Sequence, residues 1–341
     1  MTNPPSLRQL LATRGNDHRP HTSAFEHRTG LGWHTPTPPD TPAAPLSVVI
    51  PAHNVAHCLP RVLDALQHQR TAGQVEVIVV DDASTDDTPR IITGHPRVDL
   101  ARRLPRRAGA ASARNLGVAL ASAQTVVFVD ADMVLPEHVL ADMGARATAE
   151  AVLVGFRHNH PAHLPPPASG DRPDLYADHR VSWRPPAGVP LMYSGTVVEE
   201  GRVFHPLDET EDLWALGHGA LYYDWDLSRM VVTALVGVPR QAVLEVGGFD
   251  PRFGQVGWGC EDTHLGAKLI AHGLLVIPVR QAVGFHLDPP DAEEQWKGKL
   301  ASWAATMHLY RRHLDQPVPD RGAALFNEQV CPLVDVCEVL R

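Results

Sequence analysis

The chain has 341 residues, 44% of them hydrophobic and 20% charged, enough for one large or two small globular cores, which excludes wholesale disorder. Its formal net charge is −9 with histidine neutral, so it lacks the diffuse basic surface that nucleic-acid binding draws on. Apolar runs such as residues 77–80 and 126–129 fall far short of the ~18–20 residues that span a bilayer, and no N-terminal stretch joins a basic end to an apolar core, so the expectation is a soluble cytoplasmic chain.

Residues 1–45 are rich in Pro, Thr, His and Arg, show no sustained period, and end in the proline-dense run 35–45, predicting a loosely packed N-terminal arm. At Leu46 the pattern changes. LSVVI reads as a buried strand, and 58–70 carries apolar residues at helical spacing. The strand signal returns at 75–80 and 125–129, with helices predicted at 85–92 and over the Ala-rich 109–123. A helix at 136–149 and a strand at 151–154 complete a first half, residues 46–155. Strand alternating with helix implies a parallel sheet covered on both faces.

Residues 156–230 form a variable insertion. Its part from His158 to Pro190 is dense in Pro and His, where regular structure is doubtful. Residues 231–315 make a second half, with a strand at 231–238, a helix at 261–272, a strand at 274–279 and a helix at about 292–312. Residues 316–341 are a C-terminal tail. The four cysteines, Cys58, Cys260, Cys331 and Cys337, include no CxxC pair and fit a reducing compartment.

Chemistry concentrates at the ends of the predicted strands. VVDDASTDDT places Asp81 and Asp82 at the carboxyl end of a strand, where open α/β sheets bind ligands, although Ser84, Thr85 and Asp86 are also ordinary helix caps. GAASARNLG, residues 109–117, has the small residues that let a backbone approach a ligand, and Arg114 could grip phosphate. In FVDADM the carboxylates of Asp130 and Asp132 follow an apolar strand and share one side of an extended backbone, a pattern that suits a hard divalent cation. GGFDPRFGQVGWGCED predicts a tight glycine loop leading to Glu261 and Asp262 at a helix start. These are either dipole partners or a pair in which one carboxylate holds a hydroxyl and the other removes its proton. His286, in GFHL after a short strand, is a possible third metal ligand or a structural histidine.

Taken in order, PAHN (residues 51–54), VVDDASTDDT, GAASARNLG, FVDADM, GGFD…WGCED and His286 resemble inverting family 2 glycosyltransferases with a GT-A fold. The likeness spans roughly residues 46–288. The WGxED element also resembles the acceptor end of β-1,4-galactosyltransferases and polypeptide N-acetylgalactosaminyltransferases. The resemblance implies a Rossmann-like, nucleotide-sugar-binding mixed sheet flanked by helices and continuous with a smaller acceptor-binding region. It further implies that Pro51, Ala52, Asn54, Asp81, Asp82, Arg114, Asn115, Asp130 and Ala131 surround the nucleotide sugar, with Asp82 reading the base. Asp132, His286 and Asp130 would hold Mn2+ or Mg2+, Trp258, Gly259, Glu261 and Asp262 would hold the acceptor, and Asp262 would be the base. His53 stands where many relatives carry an aromatic residue.

The expected activity is metal-dependent transfer of a sugar from a nucleoside diphosphate donor, a UDP-sugar first, to a hydroxyl of a soluble small-molecule or peptide acceptor. No membrane helices follow the catalytic region, which favours a single transfer. Glu199, Glu200, Asp208, Glu209, Glu211, Asp212, Asp224 and Asp226 cluster with aromatic residues, with Arg202 the only Lys or Arg among them, and suggest a cationic acceptor such as an aminocyclitol. They equally fit a solvated acidic surface. A nucleotidyltransferase would need a basic Gly-rich triphosphate loop, which is not evident, and a non-catalytic nucleotide-sugar sensor would not need Glu261 and Asp262.

Overall fold

Val48, Val49 and Ile50 are consecutive and all fully buried, yet they serve different layers: Val49 joins one apolar cluster while Val48 and Ile50 join another. A strand with both faces buried must lie inside a sheet covered by helices on each side. The computed structural model describes residues 4–168, 170–182 and 227–341. Among these, β1 (Leu46–Ala52), β2 (Val75–Asp81), β3 (Leu100–Arg103), β4 (Thr125–Val129), β5 (Met133–Val134), β6 (Ala151–His160), β7 (Leu235–Pro239), β8 (Leu275–Leu287) and β9 (Glu338–Val339) form one sheet. Its order is β5-β8-β6-β7-β4-β1-β2-β3-β9.

The middle is parallel, β1 pairing with both β2 and β4, and β2 with β3. The sheet as a whole is mixed, because β7 runs antiparallel to both β4 and β6, and β5 and β9 add antiparallel edges. The parallel sheet read from the alternation of strand and helix is the block β4-β1-β2-β3, set within the mixed sheet that the resemblance implies. Both predicted halves contribute to this sheet, since β6 pairs with β8 in parallel over a register shift between Val154 and Phe156.

Helix Leu59–Gln67 buries Leu59, Val62, Leu63 and Leu66, the i, i+3, i+4, i+7 stripe of a helix lying on a sheet. Helix Ala110–Leu120 covers the opposite layer. Its Gly117 lets the axis settle on β1, for a Cβ there would stand 2.3 Å from Val49 Cγ1.

The N-terminal arm departs from expectation. Ser6 and Gln9 form a capping box for helix Leu7–Leu11, and Leu7 and Leu11 are buried in one layer. Phe25, from helix Arg19–Thr29, and Trp33 are buried in the other layer, with Trp33 Nε1 donating to Pro278 O at 2.9 Å. The Arg146 guanidinium lies 4.4 Å from the Phe25 ring centroid and donates to Trp33 O, and burial lowers its pKa to about 10. The four buried side chains, Leu7, Leu11, Phe25 and Trp33, are spread over 27 residues of mixed composition and leave no sustained period to read. The C-terminal tail is likewise built in, through helix Gly322–Val336, which buries Phe326 and Val330, and through β9 on the edge of β3.

Two further boundaries moved. β8 continues from Leu275 to Leu287, so His286 sits within this strand rather than after a short one. The stretch that looked irregular begins with the end of β6 and holds short helical turns at Leu175–Ala177 and His179–Ser182. Among the described residues no helix is long and apolar enough to cross a membrane.

Candidate active site

The loops after β1 and β2 interlock. Asn54 and Ala83 adopt positive φ of 53° and 57°, and side chains bridge the turns they make: Ser84 Oγ accepts from Asn54 N at 2.9 Å and Asn54 Oδ1 from Thr85 N at 2.8 Å. Strain at two neighbouring loop residues persists only where the surroundings hold it, as binding loops do. Asp81 is fully buried, accepts from Ser84 N and pairs with Arg103 at 3.1 Å, so it braces the loop instead of facing the cleft. Burial raises its pKa.

Both Asp82 carboxylate oxygens accept backbone N–H groups, Ala108 at 2.6 Å and Gly109 at 2.8 Å. Asp82 thereby fixes the approach to helix Ala110–Leu120. Asn115 does not reach the cleft. It is fully buried, accepting from Phe249 N at 2.8 Å and donating to Phe249 O at 2.9 Å. Pro51 and Ala52 lie at the end of β1, where Ala52 O accepts from Asp82 N.

After Val129 the chain turns. Met133 N donates to Asp130 O at 3.0 Å, closing a tight turn over Asp130, Ala131 and Asp132, after which β5 pairs with β8. The two carboxylates therefore meet through a turn, not through the pleat of an extended strand. Met133 opposes His286 in the ladder, and this register delivers the imidazole to the same spot. Ligand atoms of Asp130, Asp132 and His286 all lie within 4.8 Å of one another. His286 Nε2 is 3.4 Å from Asp132 Oδ2, and Asp132 Oδ1 is buried without a hydrogen-bond partner. Two carboxylates, one with an unused buried lone pair, and an imidazole are a fitting donor set for Mn2+ or Mg2+. Burial raises the Asp132 pKa with help from Asp130, against the pull of His286. Burial is the largest influence and disfavours a charged His286, but the carboxylates of Asp132, Asp288 and Asp130 together outweigh it and the imidazole pKa is raised.

Glu261 and Asp262 open the helix Glu261–His272 after two residues of positive φ, Gly259 at 92° and Cys260 at 69°. This sharp entry aims both carboxylates into a pocket also lined by Arg114, Asp130, Arg157, Arg180, Arg229, Trp258 and Trp303. Arg114 is buried and joins the two acidic elements, with Nη2 2.9 Å from Asp130 and Nη1 3.2 Å from Glu261. Its charge survives burial because those carboxylates hold the pKa up. Glu261 is thus committed to Arg114. Asp262 accepts from Thr263 N at 2.7 Å through Oδ1 alone, and burial raises its pKa. A half-buried carboxylate of raised pKa facing a pocket is suited to removing a proton.

The structure thus brings together Arg114, Asp130, Asp132, Trp258, Gly259, Glu261, Asp262 and His286. Sequence reading missed Arg157 on β6, Arg180 and Arg229, which come from separate segments and share no spacing. Arg180 is held by Asp178 at 2.8 Å. The acidic residues Glu199 to Asp226, on which a cationic acceptor was argued, lie outside the described residues.

Residues 47–184 match the family model described as Glycosyl transferase family 2. Over 258 residues the chain is 32% identical to a validoxylamine A glucosyltransferase of Streptomyces hygroscopicus subsp. jinggangensis (strain 5008), covering 70% of this chain and 54% of that protein. A second validoxylamine A glucosyltransferase, from Streptomyces hygroscopicus subsp. limoneus, is 32% identical over 269 residues, 73% of this chain and 53% of that one. The chain spans about half the length of these relatives. Among solved structures, the mannosyltransferase PcManGT from Pyrobaculum calidifontis, in complex with GDP-Man and Mn2+, aligns with a TM-score of 0.50 at 18% identity, over 95% of this chain and 81% of that chain. GalNAc-T7 with UDP, GalNAc and Mn2+ aligns with a TM-score of 0.51 at 16% identity, over 86% and 55%. These two likenesses show the fold.

Proposed function

Given that residues 47–184 belong to glycosyl transferase family 2 and that the sheet and its helices have the GT-A arrangement, we propose that this protein is a metal-dependent inverting glycosyltransferase. Its donor is a nucleoside diphosphate sugar, a UDP-sugar first, and its acceptor a hydroxyl of a soluble small molecule of the aminocyclitol type. The observation that carries the proposal is that Asp130, which shares a cluster of possible metal ligands with Asp132 and His286, lines the same pocket as Asp262, with Arg114 bridging Asp130 and Glu261. The acceptor class is supported by the relatives named for validoxylamine A.

Asp130, Asp132 and His286 would hold the cation, which when bound offsets negative charge on the departing diphosphate. Asp262 takes the proton from the acceptor hydroxyl as its oxygen attacks the anomeric carbon, opposite the leaving group, and one displacement inverts that carbon. Arg114 keeps Asp130 and Glu261 in place, so that the cluster and the base keep their separation without reorganising.

Thermal unfolding against UDP-, GDP- and dTDP-sugars, each with Mn2+ and with chelator, tests the reading. A donor at ~100 times its Kd stabilises by ~2.7 kcal/mol and raises Tm by roughly 2–4 °C. One donor should give that rise and lose it with chelator. No rise for any donor, or the same rise with chelator, would overturn the metal-held donor.

A further inference from the structure

Three tryptophans extend the pocket of Asp262 outward. Trp303, on helix Ala292–Leu314, lines the pocket beside Glu261 and Asp262. Its ring centroid is 5.6 Å from that of Trp258, which in turn stands 5.5 Å from Trp296, one helical stretch back. Trp258 is 38% exposed and Trp296 45% exposed. Leaving two neighbouring indoles in water forgoes the most favourable burial a side chain offers, and such a patch at a pocket rim marks a surface made to be covered.

The patch is also built to stay in place. Ser302 Oγ accepts from Trp258 N at 3.0 Å, and Thr306 Oγ1 donates to Trp258 O at 3.0 Å, so the loop that carries Trp258 is bound to the helix that carries the other two rings. Trp303 packs closely on Gly259, where a Cβ would come 2.7 Å from Cζ3. Lys299 Nζ stands over the Trp258 ring, 5.4 Å from its centroid, a donor at one face of that indole.

We propose that Trp303, Trp258 and Trp296 form an extended acceptor subsite, so that the acceptor is a molecule of two or more saccharide or cyclitol rings: one ring sits at Asp262 and at least one more lies on the outer indoles. This rests on the glycosyltransferase reading and deepens it. Each step along the row is about the width of a sugar ring. The C–H faces of such rings carry slight positive charge and match the negative face of an indole, while their hydroxyls reach donors such as Lys299.

The test is titration of indole fluorescence, without donor, with glucose against maltose and cellobiose, on the parent protein and on Trp296→Ala. Disaccharides should bind the parent more tightly than glucose, and Trp296→Ala should weaken them by roughly fivefold or more while leaving glucose within twofold. Because Trp296 is exposed and does not line the Asp262 pocket, the variant should keep the parent Tm. Equal loss for glucose and disaccharides, no loss for either, or no saccharide binding would overturn the subsite. So would concentration-dependent self-association abolished by Trp296→Ala, which would make the row an interface between copies of the chain. No donor is present, so failure here is separable from failure of the nucleotide-sugar reading, which the Tm panel reports.

Discussion

Asp262 keeps one carboxylate oxygen for the Thr263 amide and lines the pocket with the rest of its side chain. Replacing it by Asn preserves shape and removes the proposed base. Turnover of Asp262→Asn should fall by roughly 10²- to 10⁴-fold while donor affinity, measured by calorimetry, stays within a factor of about two. Near-parent turnover would place the base elsewhere. The pH dependence follows from burial, which penalises the charged carboxylate and so raises its pKa. With the charged form as the proposed base, kcat/KM should fall as pH drops through that raised value, with the acidic limb above the ~3.9 of an ordinary Asp. Arg114 favours the charged Asp262. Arg114→Gln should therefore move the limb to higher pH, and a limb that stays fixed or moves down would show that Asp262 is not the group titrating.

At the scale of elements, packing sets conditions that composition hides. Alanine in an exposed helix would be preferred to glycine by about 1 kcal/mol. At Gly117 the sign reverses, because the new methyl meets Val49 of β1. Gly117→Ala should cost roughly 1–3 kcal/mol in chemical denaturation, and a stabilised variant would mean that the helix can lift from the sheet without loss. The same contrast separates what was legible in the sequence from what was not. The strands at 46–52, 75–81 and 125–129 were readable from their β-branched apolar runs and helix Leu59–Gln67 from its apolar stripe, while the Asp130–Asp132 pair stood out by its place after a buried strand, a place that Asp81 and Asp82 share although their carboxylates are spent on the loop and the backbone. Helix Arg19–Thr29 was not readable, as Phe25 is its only buried side chain. The far end of β8 was hidden because Pro278, Arg280 and Gln281 interrupt its apolar run. Asn115 and Asp82 were recognised as important but not for what they do here, since only tertiary structure shows that their polar atoms are spent on backbone at Phe249, Ala108 and Gly109.

At the scale of the molecule, the turn that carries Asp130 and Asp132 begins at the end of β4, the central strand of a nine-stranded mixed sheet, and ends in β5 at its edge. Between β4 and β5 lie β7, β6 and β8, so His286 on β8 faces a turn anchored three strands inward. β5 has only two residues, Met133 and Val134, and pairs with β8 alone. Such an edge opens locally at far less cost than the global unfolding free energy. An ion shared by the turn and the strand would make that opening break its coordination. Amide exchange at Met133, Val134 and Phe285 should therefore slow markedly with Mn2+, while amides of β1 and β2 keep their rates. The cleft proposed to receive the donor would then also act as a clasp on the sheet, and loss of the ion would be felt first as fraying at its β5 margin.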